Sequence, residues 1–192
     1  MTNNILIILR HAETEVDENT KISKWVLTEK GQNEAIKLFN SDLFDDVDII
    51  ITSKEEKAYQ TAYPLLKKLH KKIIKNKNLN EIFRDNGRYL KSKTEYLKTM
   101  KLCVENRNQS YDNWETANHA LERFSKAIQD IELKFSNKKI LIIAHGGVIN
   151  LYFAKILGEL DKIFERLSTN TFLDYGIIKN KKVIRDIAKI EN

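Results

Sequence analysis

At 192 residues, with 42% hydrophobic and 31% charged side chains, one proline and six glycines, the chain has the length and composition of one ordered domain with a substantial core. Its single cysteine, Cys103, excludes an internal disulfide and has no Cys or His at metal-finger spacing, so a reduced, cytoplasmic setting is expected. The net charge of +6 would suit an anionic partner, but lysines and carboxylates are interleaved, so a solvated basic surface is the simpler reading and neither nucleic acid nor membrane is an expected partner.

In chain order, the first apolar run, residues 5–9, is too short for a signal-peptide core or a membrane span and is broken at once by Arg10 and His11. It reads as a buried strand. Thr28 is a candidate N-cap for a helix over about 28–40, with Ala35, Ile36, Leu38 and Phe39 along its apolar face. A second strand over 47–52 leads into a helix over 54–70, where Ala58, Thr61, Ala62, Leu65, Leu66 and Leu69 keep helical spacing and Pro64 is a place for a bend. Ile73 and Ile74 can open another strand. Residues 79–88, with Asn, Asp, Gly and two arginines, form a loop able to reach a site.

Helical spacing returns over 90–106 and 114–135, and a helical lid over the pocket is expected at about 88–136. A third apolar strand, 140–144, follows. At the end, 172–179 and 183–190 read as two strands joined by a tight turn around Asn180, an antiparallel sheet edge. Apolar strands each followed by a helical pattern are the rhythm of a parallel α/β sheet in a single domain spanning 1–192.

In such sheets, strand carboxyl ends and helix amino ends face the same side, and functional groups gather there. Arg10-His11 follows the first strand and His145-Gly146-Gly147 follows the third, so two of the four histidines occupy matching positions. A lone histidine is more often a polar residue closing a strand end; two in matching positions favour chemistry. A neutral imidazole, with a reference pKa of about 6.5, can attack a phosphoryl group near neutral pH, and neighbouring cations can hold the oxygens.

These residues resemble the histidine phosphatase superfamily, the phosphoglycerate mutase-like group, whose signature begins Arg-His-Gly after the first strand. Here it stands as Arg10-His11-Ala12. The resemblance continues through Leu27-Thr28-Glu29-Lys30-Gly31, Ser53 to Ala62, Leu79-Asn80-Glu81, Trp114-Glu115-Thr116 and Ala144-His145-Gly146-Gly147, in the family's order. It implies an α/β fold, a three-layer α/β/α sandwich with a mostly parallel sheet, and a phosphatase that hydrolyses phosphate monoesters through a phosphohistidine on His11. Arg10 and His145 would then bind phosphoryl oxygens, and Glu81 would give the leaving alkoxide its proton, with Glu13 ranked below it. Gly146 can offer a backbone N–H to the phosphate. No metal or organic cofactor is implied, and the expected partner is a phosphorylated small molecule.

Two positions depart from the family pattern. Lys57 stands where an arginine is usual, which keeps the charge but loses the planar fork, and Arg84 could compensate. Asp17 stands where an asparagine is usual and would repel a phosphate dianion, so it is expected to point away, with Asn19 as a substitute. The alternatives are a phosphoglycerate mutase-like phosphotransferase, for which the chain is short, and a weakly active or inactive phospho-ligand-binding protein. Zinc hydrolysis is poorly supported, because His70 and His119 lie in helical stretches without ligand spacing. Tyr89, Tyr96 and Trp114 could line the lid, although aromatics at helical spacing are more often core. No motif names a substrate or an oligomeric state.

Overall fold

The structure, a computed structural model, describes residues 2–188. The apolar runs become β1 (Ile5–Arg10), β2 (Ile49–Thr52), β3 (Ile73–Lys75) and β4 (Lys139–Ala144), all parallel, and the chain ends in β5 (Tyr175–Lys179), antiparallel to β1, and β6 (Lys182–Ala188), antiparallel to β5. The strand order is β3-β2-β4-β1-β5-β6. Asn180 and Lys181 both take positive φ, the backbone that a tight hairpin turn requires.

Helices α1 (Glu29–Phe39) and α2 (Glu56–Leu69) cover one face, and α3 (Lys93–Glu105), α4 (Ala117–Lys134), α5 (Gly146–Leu157) and α6 (Ile163–Thr169) the other. The period of two along the strands divides the core. Ile7, Leu9, Ile50, Leu141 and Ile143 pack with Phe39, Ala58, Ala62 and Leu65, while Leu6, Ile8, Ile51, Ile140 and Ile142 pack with Phe124, Ile128, Leu151 and Phe153. The result is the expected three-layer α/β/α sandwich with a mostly parallel sheet.

Hydroxyl caps fix the starts of α1, α3 and α4. Thr28 Oγ1 accepts from Gly31 N at 2.9 Å, Ser92 Oγ from Glu95 N at 3.1 Å and Thr116 Oγ1 from His119 N at 3.3 Å. The caps explain why α3 and α4 each begin three residues inside the runs expected from periodicity. Pro64 lies inside α2. Strand β5 begins at Tyr175 rather than at 172, because Asp174 closes a turn by accepting from Thr171 and Asn170. Of the run expected over 183–190, residues 189 and 190 lie outside the described residues.

The helical lid expected over 88–136 needs correction. Leu121, Phe124, Ala127, Ile128 and Ile131 of α4 are buried with strand residues, so α4 is a layer of the sandwich. What overhangs the strand ends is the loop through Arg84 and Leu90, the first turn of α3, and Trp114.

Candidate active site

Register brings the two histidines together. Arg10 is paired with Ala144 in the sheet, so the next residues, His11 and His145, leave adjacent parallel strands side by side, and His11 N donates to Ala144 O at 3.0 Å. Their ring centroids are 5.0 Å apart. Both line a cavity of about 440 Å³ that Arg10, Lys57, Glu81 and Arg84 also line.

His11 is 6% exposed, and its Nδ1 lies 2.7 Å from Ala12 O. A carbonyl only accepts, so Nδ1 carries the hydrogen and Nε2 keeps the lone pair. Burial first, then the neighbouring His145, Arg10 and Lys57, hold the imidazole well below the ordinary range, which keeps it neutral. Ala12, in place of the glycine, is fully buried, and its N–H donates to Thr61 Oγ1 at 3.0 Å, which fixes the turn after β1.

His145 is fully buried; its Nε2 shares a hydrogen bond with Ser53 Oγ at 2.8 Å, and its Nδ1 has no hydrogen-bond partner among the described residues. Burial also keeps this ring neutral, against the pull of Glu81. Arg10 is aimed by Asn170: its Nη1 donates to Asn170 Oδ1 at 2.6 Å and to Asn170 O at 3.2 Å, and its guanidinium lies 4.4 Å from the Phe172 ring centre. Gly146 opens α5 against this arginine, and a Cβ there would come within 2.6 Å of Asn170 Oδ1.

The Glu81 carboxylate occupies the amino end of α5. It accepts from Gly147 N at 3.0 Å, Val148 N at 3.2 Å and its neighbour Ile82 N at 2.9 Å. Gly147 makes this possible, since a Cβ there would lie 2.5 Å from Glu81 Oε1. The loop beneath is clamped by Arg123, which takes Glu115 in a two-toothed ion pair at 2.7 Å and donates to the carbonyls of Asn78, Asn80 and Glu81 at 2.7–3.0 Å.

Lys57 reaches the cavity but is already engaged. Its Nζ lies 2.8 Å from Glu55 Oε2 and donates to Ile22 O at 2.7 Å, in a pair that is almost fully buried. Glu55 Oε1 accepts from Glu81 N at 2.8 Å and stands 3.6 Å from His145 Nε2. The lysine and this carboxylate together occupy the segment where the family pattern has leucine and arginine.

Asn19 does not reach the cavity, a correction to the expectation. Asp17 folds its carboxylate back onto Asn19 N and Thr20 Oγ1, and the resulting turn leaves Asn19 exposed; Asp17 itself is not among the cavity residues. Glu13 also turns away, accepting from Thr28 Oγ1 at 3.1 Å and Lys30 Nζ at 2.8 Å. His70 closes α2 and His119 pairs with Glu115, both apart from the site. Among the described residues no group of three or more His, Cys, Asp or Glu is placed to hold a metal ion, and no helix is long and apolar enough to cross a membrane.

Sequence reasoning did not single out Asn170, Phe172, Glu55 or Arg123. A signal for the first two existed: the start of an antiparallel neighbour of β1 lies at the same sheet edge as the carboxyl end of β1, and Asn170-Thr171-Phe172 stands just before such a strand. Glu55 and Arg123 act through long-range contacts that no local pattern marks.

The family described as histidine phosphatase superfamily (branch 1) matches residues 6–174. A curated relative, the uncharacterized phosphatase PhoE of Bacillus subtilis, is 29% identical over 111 residues, 58% of this chain, and the match spans about half (54%) of that relative's length. Among solved structures, YhfR of Bacillus stearothermophilus superposes with a TM-score of 0.76 at 20% identity over 98% of both chains. A mycobacterial glucosyl-3-phosphoglycerate phosphatase gives 0.76 at 14% identity over 96% of this chain and 97% of its own. With that match over most of its length, and with its two histidines at the ends of β1 and β4, the chain belongs to the histidine phosphatase superfamily, branch 1.

Proposed function

We propose that the protein is a phosphomonoesterase in which His11 attacks phosphorus and carries the phosphoryl group as a transient phosphohistidine. The carrying observation is the hydrogen bond from His11 Nδ1 to Ala12 O, which leaves Nε2 basic in a ring kept neutral by burial. The Nε2 lone pair forms the N–P bond as the P–O ester bond breaks, and the Glu81 carboxyl gives the departing alkoxide its proton. Water then attacks phosphorus, the N–P bond breaks, and Glu81 takes the water's proton, which restores both residues. Arg10 and the unpartnered Nδ1 of His145 serve the phosphoryl oxygens, with Gly146 N–H at the entrance of α5. Relatives named as phosphatases support the reading, and no step requires a metal.

The ion pair between Lys57 and Glu55 favours a second reading, a phospho-ligand-binding protein with slow turnover, because a lysine held by a carboxylate grips a dianion less well. Hydrolysis of an aryl phosphate in the presence of chelator by wild type and His11→Ala separates the readings. Chelator-resistant turnover that falls by at least about a thousandfold in the variant supports the phosphohistidine route. Equal activity in both proteins would remove His11 as nucleophile, and phosphate binding without turnover in the wild type would establish the second reading.

A further inference from the structure

The cavity carries more positive charge than a phosphate needs. Six cations line the cavity, Arg10, Lys57, Arg84, Arg88, Lys91 and Lys93, against one carboxylate, Glu81. Lys57 is matched by Glu55, and Arg88 lies 3.4 Å from Asp112 and 3.5 Å from Glu95. With those two set aside, the four remaining cations leave a surplus of about three charges when Glu81 is ionised and about four when it carries the proton it donates, whereas a phosphate monoester brings about −1.5 to −2.

Arg84 is the unusual member of the set. Its guanidinium carbon lies 5.2 Å from the Tyr96 ring centre and 5.1 Å from that of Trp114, two rings whose centres are 6.0 Å apart. Its Nε is buried without a hydrogen-bond partner, and among the described residues its side chain makes no ion pair. It also stands close enough to Arg10 to disfavour that residue's charge. Cation–π contact offsets part of the cost of holding a guanidinium there, but its buried Nε–H still lacks an acceptor. Lys91 and Lys93 flank it in solvent at the start of α3.

Resting on the phosphatase reading, we propose that the cavity recognises a phosphate monoester bearing a second anionic group, and that Arg84, held against Tyr96 and Trp114, receives that group. The planar fork of arginine fits either a carboxylate or a second phosphate through two parallel hydrogen bonds. Arg84 is thus a specificity residue for the far end of the substrate rather than a stand-in for the missing arginine at Lys57.

The test is binding in His11→Ala protein, where nothing turns over, followed by tryptophan fluorescence, since Trp114 and Trp25 line the cavity. The probes are matched pairs: 3-phosphoglycerate against glycerol 3-phosphate for a carboxylate, and fructose 1,6-bisphosphate against fructose 6-phosphate for a second phosphate. The doubly anionic member of at least one pair is expected to bind on the order of tenfold to a hundredfold more tightly, and Arg84→Gln is expected to remove most of that ratio. Retention of the fork-independent part by Arg84→Lys would support the same assignment. No preference in either pair, or a preference that persists in Arg84→Gln and fades with salt, would overturn it and place the effect on the rim lysines. Failure of the wild type to hydrolyse aryl phosphate would count against the phosphatase reading alone, because this readout needs no turnover.

Discussion

His11 and His145 leave two hydrogen-bonded parallel strands and are 6% and 0% exposed, whereas Arg84 stands on a loop and Lys91 and Lys93 stand in solvent at the start of α3. At the strand ends, each group proposed to take part in the reaction is aimed by a partner: Ala12 O for His11, Ser53 for His145, Asn170 for Arg10, the amino end of α5 for Glu81. At the mouth, aromatic faces and unpaired charge replace such partners. The difference teaches that chemistry needs sub-ångström placement, which sheet register and buried hydrogen bonds supply, while recognition of a substrate's far end tolerates side chains that settle on contact.

The largest break in that contrast should come at Gly147. In Gly147→Ala the new Cβ would sit 2.5 Å from Glu81 Oε1 and push the carboxylate off the helix end. We expect kcat on aryl phosphate to fall about a hundredfold, with little change in melting temperature because alanine favours the helix. Unchanged kcat would mean that Glu81 does not act from this position.

A second test sharpens the contrast through pH. Both imidazoles are held well below the usual value by burial, so between the folded pKa and about 6.5 the unfolded chain binds protons that the folded chain does not. Stability should therefore fall as pH drops below about 6.5 and continue to fall until the folded rings themselves protonate. An NMR titration should find His11 and His145 still neutral at about pH 6; a midpoint near 6.5 for either ring would contradict the buried, neutral site.

The smallest expected effect is at Asn19. It lies outside the cavity in an exposed turn, so Asn19→Ala should change kcat/KM by less than about twofold, in line with a surface position. A tenfold loss would show that the turn of Asp17 and Thr20 closes over bound substrate.

Much of this protein was legible because its signals are local. Apolar runs fix the strands, Thr28 marks the start of α1, and Arg10-His11 and His145-Gly146-Gly147 announce themselves by standing where strands end. Two readings failed at points where side chains chose unforeseen partners. Asn19 stands two residues from the position where the family pattern has asparagine, but the Asp17 turn leaves it exposed and outside the cavity. The segment 114–135 has helical period throughout, yet Thr116 caps α4 after Trp114 and leaves the indole to wall the cavity while the helix itself joins the core.

The sequence by itself determined the strands, the existence of the main helices and the two histidines of the site, because periodicity and strand-end placement act over a few residues. Only the tertiary structure decided that Asn170 aims Arg10, that Glu55 engages Lys57, that Arg123 clamps the Glu81 loop and that Arg84 lies against Tyr96 and Trp114. Asn170 and Arg10 are 160 positions apart in sequence. Contacts of that range are fixed by sheet order and layer packing, which no local pattern of residues encodes.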